Sequence, residues 1–147
     1  MYKKITIILT LLFCAILLYL ANNFNAVNDF KFASPKDFIP YYEAASDHFF
    51  TVGYVLCFLT LIWMDVVVIK TKQLFWLWIP FLFVVLVAIT LSYHQEHLFH
   101  FKKENGLWEG GFSLSYFVCA GIIFIAGSII LLNYFVCKKY IEKNRWV

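Results

Sequence analysis

The stretch from Asp47 to Lys70 constrains this chain more than any other, because it is long and apolar enough to cross a lipid bilayer. It holds one carboxylate, Asp65, well inside its apolar part. An ionised carboxylate in hydrocarbon costs about 3 kcal/mol or more, so such a residue faces neighbouring helices and finds polar partners there. The stretch therefore predicts a membrane helix that packs against others.

The composition of the whole chain is typical of a membrane protein. Hydrophobic residues make up 63% of the 147 residues and charged residues only 14%, whereas a soluble domain carries about 25% charged residues. A helix of about 20 residues is long enough to cross a hydrocarbon core of about 30 Å. The sequence therefore predicts an all-α, integral membrane four-helix bundle. It forms one transmembrane domain, 1–147, with spans at about 5–21, 49–69, 74–93 and 112–136.

The distribution of positive charge predicts which side of the membrane each end of the chain occupies. Eight of the 12 lysine and arginine residues fall on the side of the two termini: Lys3, Lys4, Lys70, Lys72, Lys138, Lys139, Lys143 and Arg145. The other four fall in the predicted outer loops, 22–46 and 94–110: Lys31, Lys36, Lys102 and Lys103. The positive-inside rule therefore predicts cytoplasmic termini, in a bacterial inner membrane. No basic stripe with interleaved aromatic residues favours nucleic-acid binding.

Proline and glycine residues mark the predicted ends of the helices. Ser34-Pro35 is a helix-start signal and Pro40 repeats it, so the second helix is expected to begin near Pro40. The third helix is expected to continue beyond its span as far as Asn105-Gly106, a typical stop signal. Helices two and three are thus predicted to extend above the outer face of the membrane.

The fourth span is rich in small residues, which let membrane helices approach each other closely. At 100° per residue, Ser115, Cys119, Ala126 and Asn133 lie along one stripe of this helix. The fourth span is therefore expected to be the most closely packed of the four.

A polar network around Asp65 is the first candidate functional site. Asn133 lies about one turn inside the predicted cytoplasmic end of span four, which is the depth of Asp65 in span two. Thr6 and Thr10 bracket the same depth on span one. These four residues are predicted to form an intramembrane polar network. Its role is either to fix the register of the helices or to handle ions or protons.

A polar stripe along the second helix is related to this network. Glu43, Asp47, Thr51 and Tyr54 share one helical face with Asp65. Pores and proton paths use such lines of polar groups. Because four helices are few to enclose a pore, an ion or proton channel built on this stripe requires a homo-oligomer.

A group of histidines and carboxylates at the outer ends of spans two and three is the second candidate site: His48, His94, His97, Glu43 and Asp47. In an antiparallel hairpin these residues are expected at similar height, and His94 and His97 share a helical face. Imidazole and carboxylate suit zinc, copper or iron, and imidazole also binds haem iron. The spacing matches no recognised signature, so the preferred prediction is a hydrogen-bonded patch without a cofactor.

Enzyme motifs are absent from the sequence, which contains no GxSxG, no P-loop and no CxxC pair. Four helices cannot hide so much apolar and aromatic surface from lipid, so part of it is available to a partner. In size and predicted topology the chain is similar to the small immunity proteins that protect bacteria from membrane-inserting toxins. It is equally similar to accessory subunits of respiratory or secretion complexes.

The large apolar and aromatic surface and the scarcity of polar groups predict a non-enzymatic protein that acts by helix–helix contact with a larger membrane protein or with copies of itself. A metal- or haem-binding membrane protein that uses the outer histidines is one alternative. An oligomeric channel that uses Asp65 is the other.

Overall fold

A computed structural model of the chain describes residues 2–108, 110–111 and 113–143. They form four α-helices and one short 3₁₀ helix, Leu74–Leu77. The α-helices are α1 (Tyr2–Asp29), α2 (Pro35–Thr71), α3 (Trp78–Glu104) and α4 (Ser115–Lys143). Each is long and apolar enough to cross a membrane, the third together with the 3₁₀ helix, so the predicted all-α membrane fold is confirmed. Phe112, the predicted start of span four, and Arg145 lie outside the described residues.

The helices are longer than the predicted crossings. Only residues 30–34 connect α1 and α2, and α2 begins at Pro35, so the prediction of a start near Pro40 is wrong. The start lies at Pro35 because Ser34 caps the helix, its backbone N–H donating to the Asp37 carboxylate over 3.1 Å. The 37 residues of α2 measure about 55 Å, well beyond a hydrocarbon core of about 30 Å. The extension of α2 and α3 above the outer face stays a prediction.

Local backbone chemistry ends α2 and α3. Lys72 adopts the left-handed conformation, with φ 56°, and its N–H donates to the Val68 carbonyl over 2.8 Å, which closes the end of α2. α3 ends at Glu104, and Gly106 has a φ of 66°. The predicted stop at Asn105-Gly106 is therefore confirmed.

The hairpin of α2 and α3 is the centre of the fold. The main core packs α1 against this hairpin and includes Leu17, Phe24, Tyr42, Phe49, Leu56, Phe83, Val87 and Leu98. Gly53 brings α2 close to α3, since a Cβ atom built there would lie 2.9 Å from a methyl carbon of Val87. A smaller buried cluster, Met64, Val68, Leu77 and Cys137, joins the ends of α2 and α4 to the 3₁₀ helix.

The helix α4 is the least buried of the four, so the expectation that it packs most closely is wrong. In its most apolar 18-residue window only 6% of the residues are buried inside the structure, against 39% for α2. It packs mainly on α3, and within the described residues it has no contact with α1. Its small residues are spread around the helix. A Cβ atom at Gly127 would lie 3.4 Å from Phe81, whereas one at Gly121 would have no neighbour within 4 Å.

Candidate functional site

Asp65 and Asn133 meet at the end of the molecule where α1 begins and α4 ends. The side-chain amide of Asn133 donates a hydrogen bond from Nδ2 to Oδ1 of Asp65 over 2.6 Å, and both residues are partly buried. The thiol of Cys137, one turn further along α4, lies 3.8 Å from Oδ1 of Asn133. The acid inside the apolar stretch of α2 therefore has a neutral amide partner on α4.

The threonines of α1 lie apart from this pair. The hydroxyl of Thr6 accepts a hydrogen bond from Nε1 of Trp63 over 3.1 Å. The hydroxyl of Thr10 is buried and has no hydrogen-bond partner within the described residues. Trp63 and Asp65 point about 160° apart around α2, so they face different neighbours. The four predicted residues therefore form no single network. Asp65 and Asn133 join α2 to α4, and Thr6 joins α1 to α2.

The residues of the predicted polar stripe of α2 lie in different surroundings. The carboxylate of Glu43 lies 2.7 Å from Nζ of Lys102 on α3, so this end of the stripe forms an ion pair. Asp47 and Thr51 are exposed, while the hydroxyl of Tyr54 is buried and has no hydrogen-bond partner in the part of the chain that is described. These groups do not line a common path through the described part of the monomer.

His94 joins three helices at the end of the bundle opposite to Asp65, one residue beyond the third predicted span. Its ring stacks on Phe24 of α1, with the ring centroids 3.7 Å apart and the planes at 7°. Its Nδ1 lies 2.7 Å from the hydroxyl of Tyr42 on α2. The tautomer of the ring decides which of these two groups donates the hydrogen bond.

The other predicted metal ligands do not converge on His94. His97 stacks against Tyr42, with the centroids 5.7 Å apart. His48 and Asp47 are exposed on α2. Among the residues that the structure describes, no three histidine, cysteine, aspartate or glutamate side chains lie close enough to share an ion. The zinc, copper, iron or haem hypothesis stays a prediction.

Three polar contacts at the same end of the bundle as His94 were not predicted from the sequence. Gln95 donates to the hydroxyl of Ser46 on α2 over 2.6 Å. On another side of α3, the hydroxyl of Ser92 donates to the Ser115 carbonyl over 3.2 Å, and Ser113 donates to the carboxylate of Glu96. The sequence does contain a pattern that predicts two of these contacts, because Ser92 and Glu96 are four residues apart and share the helical face toward α4. The contacts of Ser92 and Glu96 fix the beginning of α4 against α3.

The face of α4 that carries Ser115, Cys119, Ala126 and Asn133 packs on the rest of the molecule, as its stripe predicts. At 100° per residue, six residues of the apolar part of α4, 115–136, lie within about 40° of the direction opposite to Cys119. We call them the outward stripe: Phe117, Gly121, Phe124, Ser128, Leu132 and Phe135. Phe117 and Phe124 are 75% and 76% exposed. Two small residues therefore lie among four large apolar residues on the uncovered face of α4.

The fold defines a polytopic α-helical integral membrane protein in which several polar side chains join one helix to another. The chain matches no family model, and no curated protein or solved structure is similar to it. Its function is therefore argued from its own residues.

Proposed function

We propose that this protein is a non-enzymatic membrane protein that binds a larger membrane protein through the outward stripe of α4. The composition of the stripe carries the proposal. Gly121 and Ser128 lie two turns apart on one face, and small residues at such positions let a second membrane helix approach closely. In the described part of the chain, nothing lies within 4 Å of the place where a Cβ atom of Gly121 would stand. A face that only meets lipid gains nothing from glycine or serine.

The polar contacts of the protein support a structural role for Asp65. The hydrogen bond from Asn133 to Asp65 holds one end of α4, and the bond from Ser92 to the Ser115 carbonyl holds the other. Together they fix the rotation of α4 about its axis. The outward stripe therefore faces away from α3 along the length of the helix, which is the arrangement that a docking helix needs.

An accessory or assembly subunit, or an immunity protein against a membrane-inserting toxin, would act in this way. Each works by contact with a larger membrane protein and needs no catalytic group. The asymmetry of the lysines favours a bacterial inner membrane with both termini in the cytoplasm.

Bulk added to the stripe tests the proposal. Gly121→Leu fills the space above the glycine, whereas Val118→Leu places the same side chain on the same turn, at an exposed residue outside the stripe. Native membranes with the tagged full-length chain are solubilised in mild detergent, and the mass and composition of the extracted particle are measured by native mass spectrometry. We expect the unaltered chain and Val118→Leu to be extracted with a second, larger protein at fixed stoichiometry, and Gly121→Leu to be extracted alone.

Three results would contradict the proposal. The unaltered chain could be extracted as a monomer, or only with copies of itself. Alternatively, Gly121→Leu and Val118→Leu could lose the second protein to the same extent.

A further inference from the structure

A different side of α4 forms an apolar groove with the beginning of α3. The groove has a volume of about 380 Å³, and its walls include Leu77, Trp78 and Phe81 on one side and Gly127, Leu131 and Tyr134 on the other. Trp78 and Leu131 are each 56% exposed, so the groove is open to its surroundings. Gly127 and Phe81 lie close together in its wall, where a Cβ atom at residue 127 would stand 3.4 Å from the Phe81 ring.

The groove lies near the ammonium group of Lys138. Leu77 belongs to the same buried cluster as Cys137, so the next residue, Lys138, lies about one turn beyond the groove. At 100° per residue, Lys138 points within about 40° of Gly127 and Tyr134, toward the same side of α4. Lys138 is exposed and takes part in no ion pair with another described residue.

This end of the molecule is basic. The described residues place there Lys3, Lys4, Lys70, Lys72, Lys139 and Lys143 in addition to Lys138. The acids at the same end are Glu142 and Asp65, and Asp65 accepts a hydrogen bond from Asn133. Basic sites between membrane helices bind the headgroups of anionic lipids. An apolar groove that ends at a lysine on a basic surface therefore complements a lipid that joins a hydrocarbon chain to a negative headgroup.

We propose that this groove binds one acyl chain of an anionic phospholipid, whose headgroup lies against the ammonium group of Lys138. The site is distinct from the outward stripe, because Gly127 and Gly121 point about 120° apart around α4. The lipid would cover Gly127 and Trp78 and leave the stripe open.

The probes are two lipids with identical acyl chains, phosphatidylglycerol and phosphatidylethanolamine, which differ in net charge. The full-length chain is exchanged into detergent micelles that hold both lipids in equal amounts, and the lipids that it retains are counted by native mass spectrometry. We expect the unaltered chain to retain phosphatidylglycerol in about fivefold preference, the ratio that one lysine beside an anionic headgroup supplies.

Three variants locate the site. Lys138→Gln is expected to abolish the preference and leave the weaker retention of both lipids. Leu131→Trp fills the groove from an exposed position and is expected to abolish the retention of both. Lys143→Gln is the matched control, because Lys143 is exposed near the same end but points about 160° away from Gly127. Equal retention of the two lipids by the unaltered chain would overturn the proposal. An equal effect of Lys143→Gln and Lys138→Gln, or unchanged retention in Leu131→Trp, would also overturn it.

Discussion

Replacing Gly53 by alanine is expected to disturb the contact between α2 and α3, which lies at the centre of the fold. The Cβ atom of the alanine would stand 2.9 Å and 3.2 Å from the two methyl carbons of Val87. Val87 is fully buried, and a β-branched side chain in a helix has one strongly preferred rotamer, so its methyl groups cannot turn away. Overpacking of this kind costs about 1–3 kcal/mol. The helix itself gains about 0.5–1 kcal/mol when alanine replaces glycine, which partly hides the cost.

Gly121→Ala isolates the steric cost, because a Cβ atom at that position has no neighbour within 4 Å among the described residues. Both variants gain the same helix propensity, so the difference between them measures the contact with Val87. We expect the free energy of unfolding of Gly53→Ala to be lower than that of Gly121→Ala by about 1–3 kcal/mol. Reversible unfolding in mixed detergent micelles, followed by tryptophan fluorescence, measures this difference.

A second substitution identifies the clashing atoms. Val87→Ala removes both methyl carbons, so adding Gly53→Ala to a Val87→Ala chain is expected to cost less than about 0.5 kcal/mol. Equal free energies of unfolding for Gly53→Ala and Gly121→Ala would refute the close approach of α2 and α3. An undiminished cost in the Val87→Ala chain would refute the assignment of the clash to Val87.

Two further predictions concern the polar contacts. Asn133→Leu leaves the Asp65 carboxylate without its amide partner and is expected to lower the free energy of unfolding by about 1–3 kcal/mol. An equal loss in an Asp65→Leu chain would contradict the pairing. Lys102→Ala breaks a partly exposed ion pair with Glu43, so the free energy of unfolding is expected to change by less than about 1 kcal/mol. This change is expected to shrink in high salt.

The helices were predictable because hydrocarbon leaves the backbone no other partner than itself. Each apolar run of sufficient length must therefore form a helix. Local chemistry made the stop at Asn105-Gly106 predictable as well. Periodicity gave the packed stripe of α4, because inward residues recur along one face wherever the helix lies against a neighbour. The start of α2 was harder, since both Pro35 and Pro40 are start signals and only the cap from Ser34 to Asp37 decides between them.

Contacts between helices were less predictable, because depth in the membrane does not specify rotation. Asp65 pairs with Asn133 on α4, whereas Thr6, predicted with Thr10 to bracket the same depth, pairs with Trp63 on another side of α2. The partner of His94 is Tyr42, which lies 52 residues earlier in the chain and carries no metal-ligand signature. The sequence also gave no sign that α4 has no contact with α1 in the described residues, which leaves its outward stripe uncovered.

A photo-crosslinking scan in native membranes tests the outward stripe most directly. A photoreactive amino acid replaces Phe117 or Phe124 on the stripe, and Leu18 on α1 serves as a control that is 71% exposed. After irradiation, we expect Phe117 and Phe124 variants to form a covalent adduct with the same larger membrane protein, and the Leu18 variant to form none with it. Adducts with lipid alone from all three positions, or the same protein adduct from Leu18, would contradict a partner surface on α4.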